Sequence, residues 1–267
     1  MFIDSHAHLD SSDFQPDLED VLQRAKDAGV STILTIGCVS EGVESIATFL
    51  RLLEDHDCLY GSIGVHPHDA RFYNDALGEE IQRLSEHSKI LGWGEIGLDF
   101  HYHHSPRSQQ IEAFRQQLRC ARAADKPVII HCRKAEALTC QILEEEFSQG
   151  RGGVLHCFTA DLETAERCLR LGFYISFGGI LTFRKAEDLR EIARQIPAER
   201  LLIETDSPFL APVPFRSKRN EPSFLPKVSE VLGKVRRTTS EEIGVLTKTN
   251  FKRLFLRQLT ADRTADS

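Results

Sequence analysis

Short apolar, β-rich segments recur near Ile3, Ile33, Leu59, Ile90, Val128, Val154, Phe173 and Leu201, a step of about 28 residues if the interval from first to last is divided evenly. Between them lie stretches of helical character: Asp17 to Ala28, Val43 to Glu54, Gln109 to Ala124, Ala135 to Phe147, Leu162 to Leu171 and Ala186 to Gln195. In the Gln109 stretch Ile111, Phe114, Leu118 and Ala121 return every three or four residues, which gives one apolar stripe and one polar face. The last part carries Leu225, Val228, Val231, Leu232 and Val235, then Ile243, Leu246, Phe251, Leu254 and Phe255 behind a Thr239/Glu242 capping-box pattern. Two closing helices are predicted there.

Eight strands alternating with helices leave two architectures, a closed barrel or an open doubly wound sheet. No GxGxxG or GxxxxGK[ST] follows the first strand, so the usual sign of a nucleotide-binding open sheet is missing. The expectation is an α/β fold, a single-domain (β/α)8 TIM barrel over residues 1–258 with additional C-terminal helices, and a frayed tail over 259–267.

Composition fits this picture: 41% hydrophobic and 8% aromatic residues in 267 can fill a sizeable core. No apolar run reaches membrane-span length, and the first residues lack the basic, apolar, small-residue order of a secretory signal. A cytoplasmic monomer with no membrane partner is expected. The seven cysteines, Cys38, Cys58, Cys120, Cys132, Cys140, Cys157 and Cys168, are scattered and contain no CxxC pair, against both a disulfide framework and a zinc ribbon. Cys132 and Cys157 each follow a histidine at a strand end, so alternation predicts that they point away from the histidines and pack under helices. The net charge of −7 disfavours a broad, sequence-independent grip on duplex nucleic acid.

The chemistry gathers at the strand ends. His6 and His8 close strand one, Gly64-Val65-His66-Pro67 strand three, Trp93-Gly94-Glu95 strand four, Ile129-Ile130-His131 strand five, Val154-Leu155-His156 strand six and Ile203-Glu204-Thr205-Asp206 strand eight. In a barrel these ends converge on the face where such enzymes place their active sites. His6, His8, Glu95, His131, His156 and Asp206 exceed the needs of one tetrahedral ion but suit two divalent ions (Mg2+, Mn2+ or Zn2+) bridged by a carboxylate, with Glu95 as the bridge. His66 is divided between substrate contact and turn structure. His68 and the His101, His103, His104 group are expected on the rim, and Asp99 is either an acceptor for a ligand histidine or a loop cap. Arg133, Lys134, Arg184, Arg216, Lys218 and Arg219 follow strand ends on the same face, with phosphate contact weighed evenly against solvated loop charge.

The chain resembles the TatD family of metal-dependent deoxyribonucleases within the amidohydrolase-like superfamily. The resemblance runs almost end to end and rests on Asp4-Ser5-His6-Ala7-His8-Leu9-Asp10, Gly64-Val65-His66-Pro67, Gly94-Glu95-Ile96-Gly97-Leu98-Asp99, Lys126-Pro127-Val128-Ile129-Ile130-His131-Cys132-Arg133, Gly153-Val154-Leu155-His156-Cys157-Phe158, Gly172-Phe173-Tyr174-Ile175-Ser176-Phe177 and Leu202-Ile203-Glu204-Thr205-Asp206-Ser207-Pro208. It implies that His6, His8, Glu95 and Asp206 hold one ion while Glu95, His131 and His156 hold the other. It also implies 3′ to 5′ trimming of DNA at single-stranded or 3′ ends, with Asp206 as general base and Glu95 in the catalytic centre. His66, Arg133, Arg184 and Arg219 are the expected substrate contacts. Two rivals remain open: a binuclear hydrolase of another ester or amide, such as an aminoacyl-tRNA or a small metabolite, and a catalytically silent binding protein that kept the barrel.

Overall fold

Eight parallel strands pair in sequence order in the computed structural model, which describes residues 1–39 and 44–256. They are β1 (Phe2–Ala7), β2 (Val30–Cys38), β3 (Leu59–Gly64), β4 (Ile90–Asp99), β5 (Val128–Arg133), β6 (Gly153–Leu155), β7 (Tyr174–Phe177) and β8 (Leu201–Ile203). The first and last strands meet at a parallel bridge between Ala7 and Ser207. There His8 N–H donates to Ser207 O at 2.7 Å and Asp206 N–H donates to His6 O at 2.9 Å. The sheet thereby curls into a nearly closed (β/α)8 barrel, the architecture expected from the alternation.

Nine helices are seen among the described residues: α1 (Leu18–Asp27), α2 (Glu44–Asp55), α3 (Asp75–Leu84), α4 (Arg107–Ala123), α5 (Glu136–Phe147), α6 (Leu162–Arg170), α7 (Glu187–Gln195), α8 (Leu225–Arg236) and α9 (Ser240–Phe255). The sequence reading had no counterpart for α3. Its pattern is weak because Gly78 interrupts it, and the glycine answers to packing: a Cβ there would lie 2.6 Å from Tyr73 Oη. Val43, expected to begin the second helix, and the tail over 259–267 lie outside the described residues.

Two apolar clusters hold the layers together. The larger lies between strands and surrounding helices and includes Trp93, Phe114, Phe147, Phe173 and Phe177. The smaller draws Ile3, Leu34, Ile36, Leu91, Ile129, Val154, Tyr174 and Leu202 from the strands and packs them with Phe251, Leu254 and Phe255 of α9. Helix α9 therefore plugs the end of the barrel where the strands begin. Its start carries the expected capping box, with Thr239 Oγ1 accepting Glu242 N–H at 3.1 Å and Glu242 Oε2 accepting Thr239 N–H at 2.9 Å. Asn250 ties the helix to the barrel by donating to Ala198 O at 2.8 Å and Leu201 O at 2.9 Å.

One strand departs from the expectation in a way that shapes the site. Glu95 was placed at the end of strand four, but β4 continues to Asp99 and leaves Glu95 in mid-strand. The β4–β5 register slips between Trp93 and Ile96, and the glycines that flank Glu95 make this possible. Gly94 (φ +155) and Gly97 (φ +145) lie so close to β5 that a Cβ on them would stand 2.7 Å from Ile129 O and 2.0 Å from His131 O. A bulge of this kind re-aims the side chain it carries, and Glu95 ends up 2% exposed.

Candidate metal centre

The side chains at the upper end of the barrel converge on the Glu95 carboxylate, and its two oxygens face different partners. Oε1 lies 2.7 Å from His156 Nε2, 2.8 Å from His131 Nδ1 and 3.4 Å from His66 Nε2. Oε2 lies 3.3 Å from His6 Nε2 and 3.8 Å from His8 Nε2. Asp206 closes the Oε2 side, with Oδ1 at 3.7 Å from His6 Nε2 and 3.5 Å from His8 Nε2. All six expected ligands therefore meet at one place.

The donor set fits divalent cations. Three groups, His6/His156/Asp206, His6/His8/Glu95 and His66/Glu95/His131, each place their ligand atoms within 4.8 Å of one another. His6 Nε2 and His8 Nε2 stand 3.2 Å apart, and His156 Nε2 and His131 Nδ1 stand 3.4 Å apart. Nitrogens bound tetrahedrally at zinc-like distances are separated by roughly 3.3 Å. Imidazole lone pairs brought this close inside a protein need a proton or a cation between them.

Outer partners fix the rings. Asp99 Oδ2 lies 3.0 Å from His131 Nε2 and 3.1 Å from His68 Nε2. With Nε2 hydrogen-bonded to Asp99, His131 turns Nδ1 toward Glu95, the carboxylate–histidine arrangement that orients metal ligands. Glu204, fully buried, stands on the other flank: Oε1 accepts Cys157 N–H at 2.6 Å and lies 3.4 Å from His156 Nδ1. Asp4 accepts Thr205 N–H at 2.9 Å and Thr205 Oγ1–H at 2.6 Å, which anchors the segment leading to Asp206.

Electrostatics follow from this crowding. Burial opposes ionisation of Glu95, yet the surrounding His156, His66 and His6 hold its carboxyl well below the usual range. The same contest raises His156: burial lowers it, while Glu95 and Glu204 more than compensate. His8 is raised because Asp206 and Cys38 outweigh its burial. Burial wins at His66, which falls to about 4, and at His6, which is lowered by burial and by His156. Burial also pushes Asp4 up to about 7. The centre is a dense array of coupled carboxylates and imidazoles, which is where perturbed acidities gather in functional sites.

A cavity of about 510 Å³ opens above the centre and includes His66, Arg133 and Asp206 in its wall. A cavity of about 580 Å³ at the opposite end of the barrel is lined by Met1, Lys26, His56 and Cys58 among others, but none of the three metal-capable groups faces it. Of the expected substrate contacts, His66 and Arg133 line the upper cavity, whereas Arg184 and Arg219 do not. Arg219 donates to Asp13 O at 2.6 Å and to both Asp17 oxygens at 2.7 and 2.8 Å, so its guanidinium is engaged away from the cavity. Arg184 is exposed beyond the rim. His66 lies closer to the chemistry than a rim contact would, within reach of Glu95 and His131.

One cysteine departs from its expected place. Cys132 packs as expected, with its thiol 3.4 Å from Thr139 of α5. Cys157 does not, because its backbone adopts φ +44 and breaks the alternation on which the expectation rested; its thiol meets Asp206 instead. Cys38, at the end of β2, lines the cavity together with His8 and helps to raise the pKa of that histidine. Its position at a strand end was a signal available in the sequence, as was Glu204 within the strand-eight motif.

Comparison with known proteins gives a consistent outcome. The family model described as TatD related DNase matches residues 3–256. The chain is similar to the metal-dependent hydrolase YabD of Bacillus subtilis, 42% identical over 255 residues that cover 96% of this chain and 99% of the relative. It is also similar to the 3′-5′ ssDNA/RNA exonuclease TatD of Pectobacterium atrosepticum, 37% identical over 257 residues, with coverage of 94% and 98%. Among solved structures, YJJV, a TatD homologue from Escherichia coli K12, superposes with a TM-score of 0.89 at 34% identity, covering 95% of this chain and 97% of that one.

Proposed function

The chain belongs to the TatD-related DNase family of metal-dependent hydrolases, and from that premise we propose that it is a nuclease that trims nucleic acid, DNA foremost, from the 3′ end through a two-cation centre. The observation that carries this reading is the two-sided Glu95 carboxylate, with histidines gathered separately on each oxygen beneath an open cavity. His6, His8, Asp206 and Glu95 would hold one ion, and Glu95, His131 and His156 the other, with His66 alongside. When bound, such cations supply Lewis-acid charge to a phosphodiester and make water more acidic. That concentrates positive charge at the scissile phosphate of an otherwise acidic protein.

The protein's own groups do the rest. Asp206, on the cavity wall and 3.5 Å from His8 Nε2, takes the proton from the attacking water as general base. Arg133, exposed at the rim, holds a flanking phosphate. Asp99 and Glu204 keep His131 and His156 oriented. If Asp206→Asn kept near-normal turnover with its metal content intact, the general-base role would be wrong.

The test uses 5′-labelled single-stranded and 3′-recessed oligonucleotides with Mg2+ or Mn2+, beside Glu95→Ala. A ladder shortening from the 3′ end, absent in the variant, is expected. No cleavage by metal-containing wild type would move the reading to hydrolysis of another ester or amide.

A further inference from the structure

Among the described residues, two aromatic side chains are exposed, Tyr102 at 42% and Phe209 at 55%. Both line the cavity above the metal centre, although one follows β4 and the other follows β8. Leaving large apolar rings in water forgoes burial energy, so their coincidence at one opening points to a ligand.

The chain also holds both rings in place. Each lies three residues after an aspartate of the centre. Tyr102 N–H donates to Asp99 Oδ1 at 2.9 Å, and Phe209 N–H donates to Asp206 O at 2.9 Å. Fully buried Asn220 pins the second loop by donating to both Thr205 O and Phe209 O at 2.7 Å. The Phe209 ring meets the His8 ring edge-on at 5.8 Å, and the Arg133 guanidinium stands over the Tyr102 ring at 4.9 Å from its centre. Each aromatic is thus coupled through its backbone to the centre, and one carries an exposed cation on its face.

We propose that Phe209 and the Tyr102–Arg133 stack are base platforms, which seat the unpaired terminal bases of a single-stranded nucleic acid and carry its 3′ end into the metal centre. This rests on the nuclease reading and adds the residues that select the substrate. Aromatic faces accept any base, so trimming would proceed through mixed sequence, and a guanidinium plane both stacks and meets phosphate. A paired end keeps its bases stacked and hydrogen-bonded within the helix rather than free to splay onto separate rings, so duplex ends would be poor substrates until frayed. The centre provides the chemistry, and the rings provide preference for unpaired strands.

The experiment compares full-length, Mn2+-loaded wild type with Phe209→Ala, Phe209→Leu, Phe209→Trp and Tyr102→Ala, with Val245→Ala on α9 as a remote control. The substrate is a single-stranded oligonucleotide carrying 2-aminopurine as its penultimate 3′ base, so that stacking is read as fluorescence quenching within the first turnover and trimming as KM and kcat. Loss of one base stack should raise KM about 5- to 150-fold, with the larger change in KM than in kcat. Quenching should fall in both Ala variants and in Phe209→Leu, and return in Phe209→Trp, while metal content stays that of wild type. Wild-type cleavage with unchanged KM and quenching in the Ala variants, or full retention by Phe209→Leu, overturns the platform proposal and leaves the nuclease reading standing. Wild type that neither binds nor cleaves the oligonucleotide overturns both.

Discussion

The two ends of the barrel interior are built from the same strands. At the lower end Ile3, Leu91, Ile129, Val154 and Leu202 pack against the α9 plug. A few residues further along those strands, His6, His131 and His156 crowd around the Glu95 carboxylate, with Asp206 beside His6. The lower end gains from burial without directional demands. The upper end buries charges whose desolvation opposes folding and is offset only by close pairing of opposite charges around Glu95. The contrast teaches a division of labour: the apolar end stabilises the barrel, and the polar end uses that stability to keep ligands in place. Conserving shape while removing function at one end, or the reverse at the other, should separate the two.

The largest effect is expected from Glu95→Gln, which keeps the volume but removes the charge at the middle of the histidine cluster. Its kcat/KM should fall at least about 10⁴-fold, equivalent to ~5 kcal/mol, and metal per chain should drop. Urea unfolding in chelator should stay near wild type. Equal loss of chelated stability would mean that the upper end also holds the barrel together.

Phe251→Ala, fully buried in the α9 plug, should cost about 3–5 kcal/mol in urea unfolding. Its kcat per folded molecule should be unchanged. A matched loss of kcat would show that the plug sets the geometry of the centre as well as its stability.

The smallest effect belongs to neither end. Glu146 on α5 accepts from Arg119 at 2.7 and 2.8 Å and from Arg115 at 2.8 Å, and Arg119 foremost draws its carboxyl down from 4.5 to about 2. Its folded value lies below the unfolded one, so its stabilisation is present above about pH 4.5 and is lost as pH falls toward about 2. The gap between wild type and Glu146→Gln should be about 1 kcal/mol or less at pH 6 and shrink over that window, measured by urea unfolding at low salt. A gap that grows on acidification would reverse the sign.

Local pattern determined a good deal of this protein. Short apolar runs marked all eight strands, helical periodicity marked most of the helices, and the Thr239/Glu242 pair marked the start of α9, because these patterns depend on neighbours in sequence. The ligand types at successive strand ends were also readable, since a barrel brings those ends together wherever the loops go. Tertiary structure decided what depends on contact between strands. Glu95 is mid-strand because Gly94 and Gly97 let β4 press against Ile129 and His131 of β5. Cys157 faces Asp206 because its φ of +44 breaks the alternation assumed for it. Arg219 is engaged by Asp17, some two hundred residues earlier, rather than facing the cavity. Spacing along a strand is set by local geometry; the direction in which a buried charge points is set by the partners that surround it.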